Sequence, residues 1–277
     1  MVAPNTPSPT FIYGTAWKED RTLALTRLAL ELGFRAIDTA NQRKHYHEAE
    51  VGAALAKEIA EGRVSRADVF LQTKFTFAGG QDHRLPYDPT ADYATQVSQS
   101  FESSLEHLRT DYLDSYVLHG PFARSGLAPA DHEVWTAMEQ LCRSGRARAL
   151  GVSNVSLPEL RLLCERATIR PKWVQNRCYA RSGWDREVRA FCREHAIAYQ
   201  GFSLLTANQH ELSSPHVRQL VARVGRPLPA VLFRFALEIG IFPLTGTSSA
   251  EHMKTDLECV ELSLSEQDLN LLENLGQ

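Results

Sequence analysis

The stretch FIYGTAWKEDRTLALTRLALELGFRAID spans residues 11–38 of a 277-residue chain and contains one complete strand–helix–strand unit. Residues 11–16 and 36–38 are short apolar runs of the kind that form buried parallel strands. In residues 21–32, between these runs, apolar side chains recur every three or four positions, which is the period of an amphipathic helix. Because parallel strands need such a crossover connection, this unit predicts an α/β fold.

The same alternation continues to the C-terminal end of the sequence. Further apolar runs at 69–74, 115–119, 147–152, 173–176, 196–202 and 241–244 bring the expected strands to eight. Helical periodicity fills segments between them, among them 48–61, 91–109, 132–144 and 157–166. An open doubly wound sheet alternates in the same way, but no G-x-G-x-x-G follows the first strand. We therefore predict a single-domain (β/α)8 TIM barrel over residues 1–277, with residues 1–9 as a flexible N-terminal extension.

Four serines that are followed by an acidic residue three positions later mark expected helix starts, namely Ser65, Ser156, Ser248 and Ser265. The first of these serines leads directly into an expected strand, so we predict a turn there. The other three predict the starts of helices.

Composition limits the classes of partner. The formal net charge is −3 and no long run of like charges occurs, which argues against nucleic acid as a partner. The most apolar late segment, 230–242, contains Arg234 and Glu238 and is too short to span a bilayer. The N-terminal residues lack the features of a secretory signal, and the five cysteines include no C-x-x-C pair. These features predict a cytoplasmic protein with reduced, structural thiols and no membrane contact.

Ionisable side chains follow three of the expected strands. Asp38, Lys74 and His119 each lie at the end of an apolar run. Chemistry in such barrels takes place at the carboxyl ends of the strands, where these three side chains would meet. A single ionisable residue at a strand end is more often a solvated loop residue, but three together favour a catalytic site. The first expected strand carries no H-x-H pair and the chain shows no clustered acids, so the sequence predicts no metal site.

Several motifs extend this pattern over nearly the whole chain. They are GTAW (14–17), GFRAIDTA (33–40), EAEVG (48–52), TK (73–74), YVLHGP (116–121) and GVSN (151–154). In order and spacing they resemble the aldo-keto reductase family. The resemblance implies an NAD(P)H-dependent oxidoreductase that reduces an aldehyde or ketone to an alcohol.

The resemblance also implies a catalytic tetrad of Asp38, Tyr46, Lys74 and His119. Tyr46 would donate a proton to the carbonyl oxygen as hydride reaches the carbonyl carbon. Lys74 would lower the pKa of Tyr46, and Asp38 would hold Lys74 in an ion pair. His119 would orient the carbonyl oxygen through a hydrogen bond.

The chain departs from the family between Asp38 and Tyr46, where Gln42-Arg43-Lys44-His45 lengthens the loop. His45 and His47 are therefore alternative candidates for the acid, and Tyr46 is alternatively a half-buried aromatic residue of the next helix. Whether the added loop shapes the substrate site, attracts an anionic substrate or is simply solvated stays open.

The resemblance assigns the nicotinamide end of a cofactor to Ser153, Asn154, Gln175, Phe202, Ser203 and Leu205. Among these, Ser153, Asn154 and Gln175 would bind the carboxamide, and the Phe202 ring would stack on the nicotinamide. Ser153 is equally interpretable as the cap of the following helix.

The phosphate end is assigned to Gly246, Thr247, Ser248, His252 and Asp256, close to the start of a helix. Gly246 and His252 stand where many relatives have a lysine and an arginine that hold the 2′-phosphate of NADP. Because this charge clamp is weakened, we expect NADPH as the cofactor and keep NADH as possible.

Loops 75–90, 121–131 and 206–215 are the expected walls of the substrate site, with Trp17 and Phe122 as apolar contacts. The chain ends at Gln277, directly after the last expected helix, which predicts an open pocket. We expect a small carbonyl substrate and a monomer or weak homo-oligomer. The alternative function is a nicotinamide-binding barrel that acts as a sensor or partner subunit with little turnover.

Overall fold

The computed structural model describes residues 10–123 and 125–276, and the expected extension over residues 1–9 lies outside them. Its strands form one closed parallel barrel in which each strand pairs with the next and the last pairs with the first. The strands are β1 (Ile12–Gly14), β2 (Ala36–Asp38), β3 (Phe70–Phe75), β4 (Ser115–Leu118), β5 (Leu150–Ser153), β6 (Trp173–Arg177), β7 (Ala198–Phe202) and β8 (Ile241–Thr245). The predicted (β/α)8 barrel is therefore confirmed.

Helices lie between the strands and after the last strand, and they cover the outside of the barrel. They are α1 (Thr22–Leu32), α2 (Glu48–Ala60), α3 (Tyr93–Leu108), α4 (Pro129–Arg143), α5 (Leu157–Arg166), α6 (Arg186–Glu194), α7 (Gln209–Leu212), α8 (Pro215–Val224), α9 (Leu228–Glu238), α10 (Ala250–Glu258) and α11 (Glu266–Glu273). Buried apolar residues of the helices and the outward faces of the strands form one continuous core.

Strand β3 shows how the barrel separates two environments. Leu71 and Phe75 belong to the core shared with the helices, whereas Phe70 belongs to a smaller apolar cluster inside the barrel. Phe70 meets Trp173 of β6 there, with ring centroids 5.2 Å apart. Since side chains alternate along a strand, Gln72 and Lys74 share the inward face with Phe70. The barrel interior thus has an apolar floor and a polar layer above it.

Among the boundaries that differ from the sequence prediction are the start of β7 and the residue that caps α10. β7 begins at Ala198 because Ala196 has a φ of 54°, which strand pairing does not permit. Helix α10 is capped by Ser249, whose Oγ accepts from the backbone N–H of His252, so the cap expected at Ser248 was wrong by one residue. The predicted turn at Ser65 is confirmed as a single 3₁₀ turn, and Ser156 and Ser265 cap helices as predicted.

All five cysteines are free thiols, and four of them are buried. None of the described helices is both long and apolar enough to cross a lipid bilayer. Within the described ranges, no group of histidine, cysteine or acidic side chains is arranged to hold a metal ion.

Candidate active site

A buried ion pair lies in the polar layer of the barrel. Asp38 is the last residue of β2, and Lys74 lies on the neighbouring strand β3. Lys74 Nζ is 2.7 Å from both carboxylate oxygens of Asp38 and 2.8 Å from the carbonyl oxygen of Thr39. An ammonium group has three hydrogens, and these three acceptors use all of them. The predicted pair is therefore formed, and Lys74 has no hydrogen left to donate to another group.

Three buried glutamines surround this pair. The side-chain Nε2 atoms of Gln72 and Gln175 lie 2.6 and 3.0 Å from Asp38 Oδ1. Both Nε2 atoms also donate to Gln200 Oε1, at 2.9 and 2.8 Å. Gln200 Nε2 returns a bond to Gln72 Oε1 at 3.1 Å. Because an ionised carboxylate only accepts, Asp38 fixes the direction of every amide in this network.

Tyr46 lies beside the ion pair and faces the cavity. Its ring centroid is 5.3 Å from Lys74 Nζ and 6.0 Å from the centre of the His119 ring. Burial raises the pKa of Tyr46 well above its ordinary value, and the negative charge of Asp38 raises it further. The pKa of Tyr46 is therefore not lowered overall in the free protein, and the effect of Lys74 on it stays a prediction. Asp38 offsets the ammonium charge at close range, and the cost of burying a phenolate outweighs what remains.

His119 follows β4 and completes the group. Burial lowers its pKa to about 3, and the charge of Lys74 acts in the same direction. The imidazole is therefore neutral at physiological pH. Its Nδ1 is 2.7 Å from the hydroxyl oxygen of Thr76. The structure thus brings the predicted Asp38, Tyr46, Lys74 and His119 together around one point.

The added loop before Tyr46 forms part of the cavity wall. His45 packs against Trp17, with ring centroids 3.9 Å apart, and its backbone carbonyl accepts from the Trp17 N–H at 2.8 Å. Gln42 Nε2 donates to the carbonyl of Gly80 at 2.6 Å, which ties the loop to the segment after β3. His47 precedes α2 and is not among the residues that line the cavity. The loop therefore shapes the mouth of the cavity, and it brings the Tyr46 ring to 5.3 Å from Lys74 Nζ.

A cavity of about 1170 Å³ opens at this end of the barrel. It exceeds the roughly 300–1,000 Å³ of most small-molecule sites, which leaves room for a long cofactor beside a substrate. The predicted site residues that line it are Trp17, Asp38, Tyr46, His119, Phe122, Ser153, Asn154, Gln175, Phe202, Ser203, Leu205, Gly246, Thr247, His252 and Asp256. Ser248 is exposed and is not among the lining residues, so its place at the phosphate end stays a prediction.

The residues expected to meet a nicotinamide lie close together. Ser153 Oγ donates to the backbone oxygen of Gln175 at 2.6 Å, and Asn154 Nδ2 donates to Ser153 Oγ at 3.0 Å. Asn154 has a left-handed backbone with a φ of 57°. Helix α5 is capped by Ser156, so the alternative interpretation of Ser153 as that cap was wrong. With Gln175 Nε2 bound to Asp38 and Gln200, the amide oxygen is the group that remains for a ligand.

Lys18 occupies the space beside Gly246 at the other end of the cavity. The lysine belongs to the loop after β1, and its Nζ donates to the carbonyl oxygen of Gly246. Only 7% of Lys18 is exposed, and burial lowers its pKa. It forms no ion pair with any carboxylate in the described part of the chain. A buried ammonium without a counter-ion fits a cofactor phosphate, because a charge buried alone is unfavourable.

His252 and Asp256 lie on α10 at the same end. His252 is exposed, and its Nδ1 lies 3.5 Å from Thr247 Oγ1, which is a long contact. Asp256 is buried and accepts from the hydroxyl of Thr245 at 2.7 Å. Burial raises the pKa of Asp256 to about 6. Negative charge close to the expected phosphate position is thereby reduced at mildly acidic pH.

The sequence prediction did not include Gln72, Gln200 or Lys18 in the site, and it included Thr76 only as part of the expected loop wall 75–90. A signal for Gln72 is present, because a glutamine two positions before Lys74 shares its face of a buried strand. Gln200 likewise lies two positions before Phe202 and shares its face of β7. Lys18 and Thr76 gave no comparable signal, since each lies in a loop whose path depends on the tertiary fold.

A tyrosine, a lysine–aspartate pair and a neutral histidine at the carboxyl ends of the strands define a (β/α)8 barrel whose cavity suits acid–base chemistry. The sequence pattern of the Aldo/keto reductase family matches residues 10–277, and the chain belongs to this family. Its members are NAD(P)H-dependent oxidoreductases that act on carbonyl compounds.

Individual relatives are distant but cover most of the chain. Human "Aldo-keto reductase family 1 member C4" is 27% identical over 286 residues, which is 93% of this chain and 84% of that protein. "Uncharacterized oxidoreductase YtbE" of Bacillus subtilis is 28% identical over 251 residues, which is 91% of this chain and 82% of that protein. An aldo/keto reductase from Brucella melitensis superposes with a TM-score of 0.81 at 25% identity, over 96% of this chain and 95% of the other.

Proposed function

We propose that this protein reduces an aldehyde or ketone to the corresponding alcohol with NADPH, and with NADH as a possible substitute, and that Tyr46 donates the proton. One observation carries the proposal: Tyr46 and the neutral His119 face one cavity beside the Lys74–Asp38 pair. The reduced nicotinamide, when bound, supplies a hydride to the carbonyl carbon.

Tyr46 keeps its proton at neutral pH because burial raises its pKa. Negative charge that develops on the carbonyl oxygen draws this proton away from the phenol oxygen. Lys74, whose Nζ is 5.3 Å from the Tyr46 ring centroid, would stabilise the charge left on Tyr46. Desolvation makes this interaction more effective than in water. Because His119 is uncharged, it can act as a neutral hydrogen-bond donor to the same carbonyl oxygen.

Residues along the rest of the cavity would hold the cofactor and the substrate. Gln175 and Asn154 offer amide groups to the carboxamide, and Phe202 offers a ring for stacking. Lys18 would bind a phosphate next to Gly246. Trp17 and Phe122 are 66% and 54% exposed at the mouth, and they favour a carbonyl substrate with an apolar substituent.

The test is an assay of the purified chain with a panel of aldehydes and ketones, in which loss of NADPH absorbance reports turnover. Tyr46→Phe keeps the ring and removes the acid, so we expect turnover to fall by about 10²- to 10⁴-fold while the Kd for NADPH stays unchanged. Tight NADPH binding without turnover of any carbonyl compound would instead favour the sensor function. The cytoplasmic location and the monomeric or weakly associated state stay predictions.

A further inference from the structure

Thr76 makes a contact that the tetrad alone does not explain. It follows β3 directly, lines the cavity and is buried, and its hydroxyl oxygen is 2.7 Å from His119 Nδ1. The other ring nitrogen of His119, Nε2, has no partner among the described residues. This is the nitrogen that remains for a carbonyl oxygen in the cavity.

The surroundings fix the direction of the Thr76 side chain. Its backbone oxygen accepts from the Tyr87 hydroxyl at 2.7 Å and from Gln81 Nε2 at 3.4 Å. Its methyl group packs so close to Gly80 that a Cβ built on that glycine would lie 2.8 Å from Thr76 Cγ2. With the methyl group held on this side, the hydroxyl points to His119.

The hydrogen-bond partners of the Thr76 hydroxyl determine which nitrogen carries the hydrogen of the neutral ring. Within residues 10–123 and 125–276, His119 Nδ1 is the acceptor available to the Thr76 hydroxyl. If Nδ1 carried the hydrogen, the Thr76 hydroxyl would accept it and leave its own hydrogen without a protein partner, which is unfavourable in a buried position. The arrangement that uses both groups has the Thr76 O–H donating to Nδ1 and the hydrogen of the ring on Nε2.

We propose that Thr76 is a positioning residue that holds His119 in the Nε2–H tautomer, so that His119 donates a hydrogen bond to the substrate carbonyl oxygen. This inference rests on the proposed carbonyl reduction. In the opposite tautomer, Nε2 would carry no hydrogen and could not donate to the carbonyl oxygen.

The experiment uses a matched pair of variants, Thr76→Val and Thr76→Ser. Valine has almost the same shape as threonine but no hydroxyl, whereas serine keeps the hydroxyl and loses the methyl group. The tautomer is read from the ¹⁵N chemical shifts of the imidazole nitrogens in histidine-labelled protein, with the His119 signals assigned by their loss in His119→Asn. Thermal melting and the Kd for NADPH show that each variant is folded.

We expect Nε2–H in the wild-type protein, and a changed Nδ1 shift in Thr76→Val with kcat about tenfold lower at an unchanged Kd for NADPH. Thr76→Ser should restore the wild-type tautomer and bring kcat back to within about threefold. A wild-type ring protonated at Nδ1 would overturn the proposal, as would a Thr76→Val protein with unchanged kcat. A wild-type protein without reductase activity overturns the carbonyl reduction itself, and the ¹⁵N shifts still decide the tautomer independently.

Discussion

The two ends of the cavity differ in how far the protein itself supplies partners for buried charges. Around Asp38 and Lys74, at the inner end, each charge is paired with an opposite charge, whereas at the Gly246 end it is not. At the inner end, the carboxylate, the ammonium and the surrounding glutamines all have protein partners. At the Gly246 end, the buried ammonium of Lys18 has a backbone carbonyl as its partner, and Asp256 has a single hydroxyl. We infer that the groups expected to perform the reaction are fixed in position before a ligand binds. At the phosphate end, the ligand would supply the counter-ion that Lys18 lacks.

The largest effect is expected from Lys74→Met, which removes the ion pair with Asp38 at the inner end of the cavity. It leaves the Asp38 carboxylate buried without its counter-ion, so the free energy of unfolding should fall by about 3–5 kcal/mol and reductase turnover should be lost. Urea unfolding of the wild type and of Lys74→Met measures the loss of stability, and the carbonyl assay with NADPH measures the loss of turnover.

The matched control is Arg146→Met at the ion pair with Glu102, whose side chains are 38% and 53% exposed. Solvent screens this pair, so the loss there should be at most about 1 kcal/mol. Equal losses in the two variants would contradict the distinction between a completed buried pair and a surface one.

Lys18→Met tests the phosphate end. Charge-assisted hydrogen bonds contribute about 1.5–3 kcal/mol, so the Kd for NADPH should rise at least about tenfold with little change in kcat. Lys254→Met, on the exposed side of α10, should leave the Kd nearly unchanged. If both variants bound NADPH like the wild type, Lys18 would not contact a phosphate.

Asp256 gives a smaller, pH-dependent effect. Its pKa is raised from 3.8 to about 6 in the folded protein, so the folded state binds the proton more tightly than the unfolded state. Stability from this group is therefore full below pH 4 and is lost as the pH rises through 6.

Asp256→Asn keeps an acceptor for Thr245 and removes the charge. The variant should be more stable than the wild type by about 1–3 kcal/mol at pH 7, and the two should unfold alike at pH 4. Thermal or urea unfolding at the two pH values measures this difference. A gain of equal size at both values would mean that the Asp256 charge is not its source.

The sequence alone was enough to predict the barrel, because each strand–helix unit carries its own period and the units repeat along the chain. Strand ends also identified Asp38, Lys74 and His119, since a parallel barrel brings every carboxyl end to one mouth. Tyr46 was identified through the family resemblance and the EAEVG motif that follows it.

Tertiary structure decided what no local pattern contains. The bond between Lys18 and Gly246 joins residues 228 positions apart, and Gln72 meets Gln200 across 128 positions. The pKa of Tyr46 likewise depends on how deeply the phenol is buried and on how closely Asp38 offsets Lys74. A period in the sequence fixes which face of an element is buried, but the distances between charges arise only when the barrel closes, and those distances set the chemistry of the site.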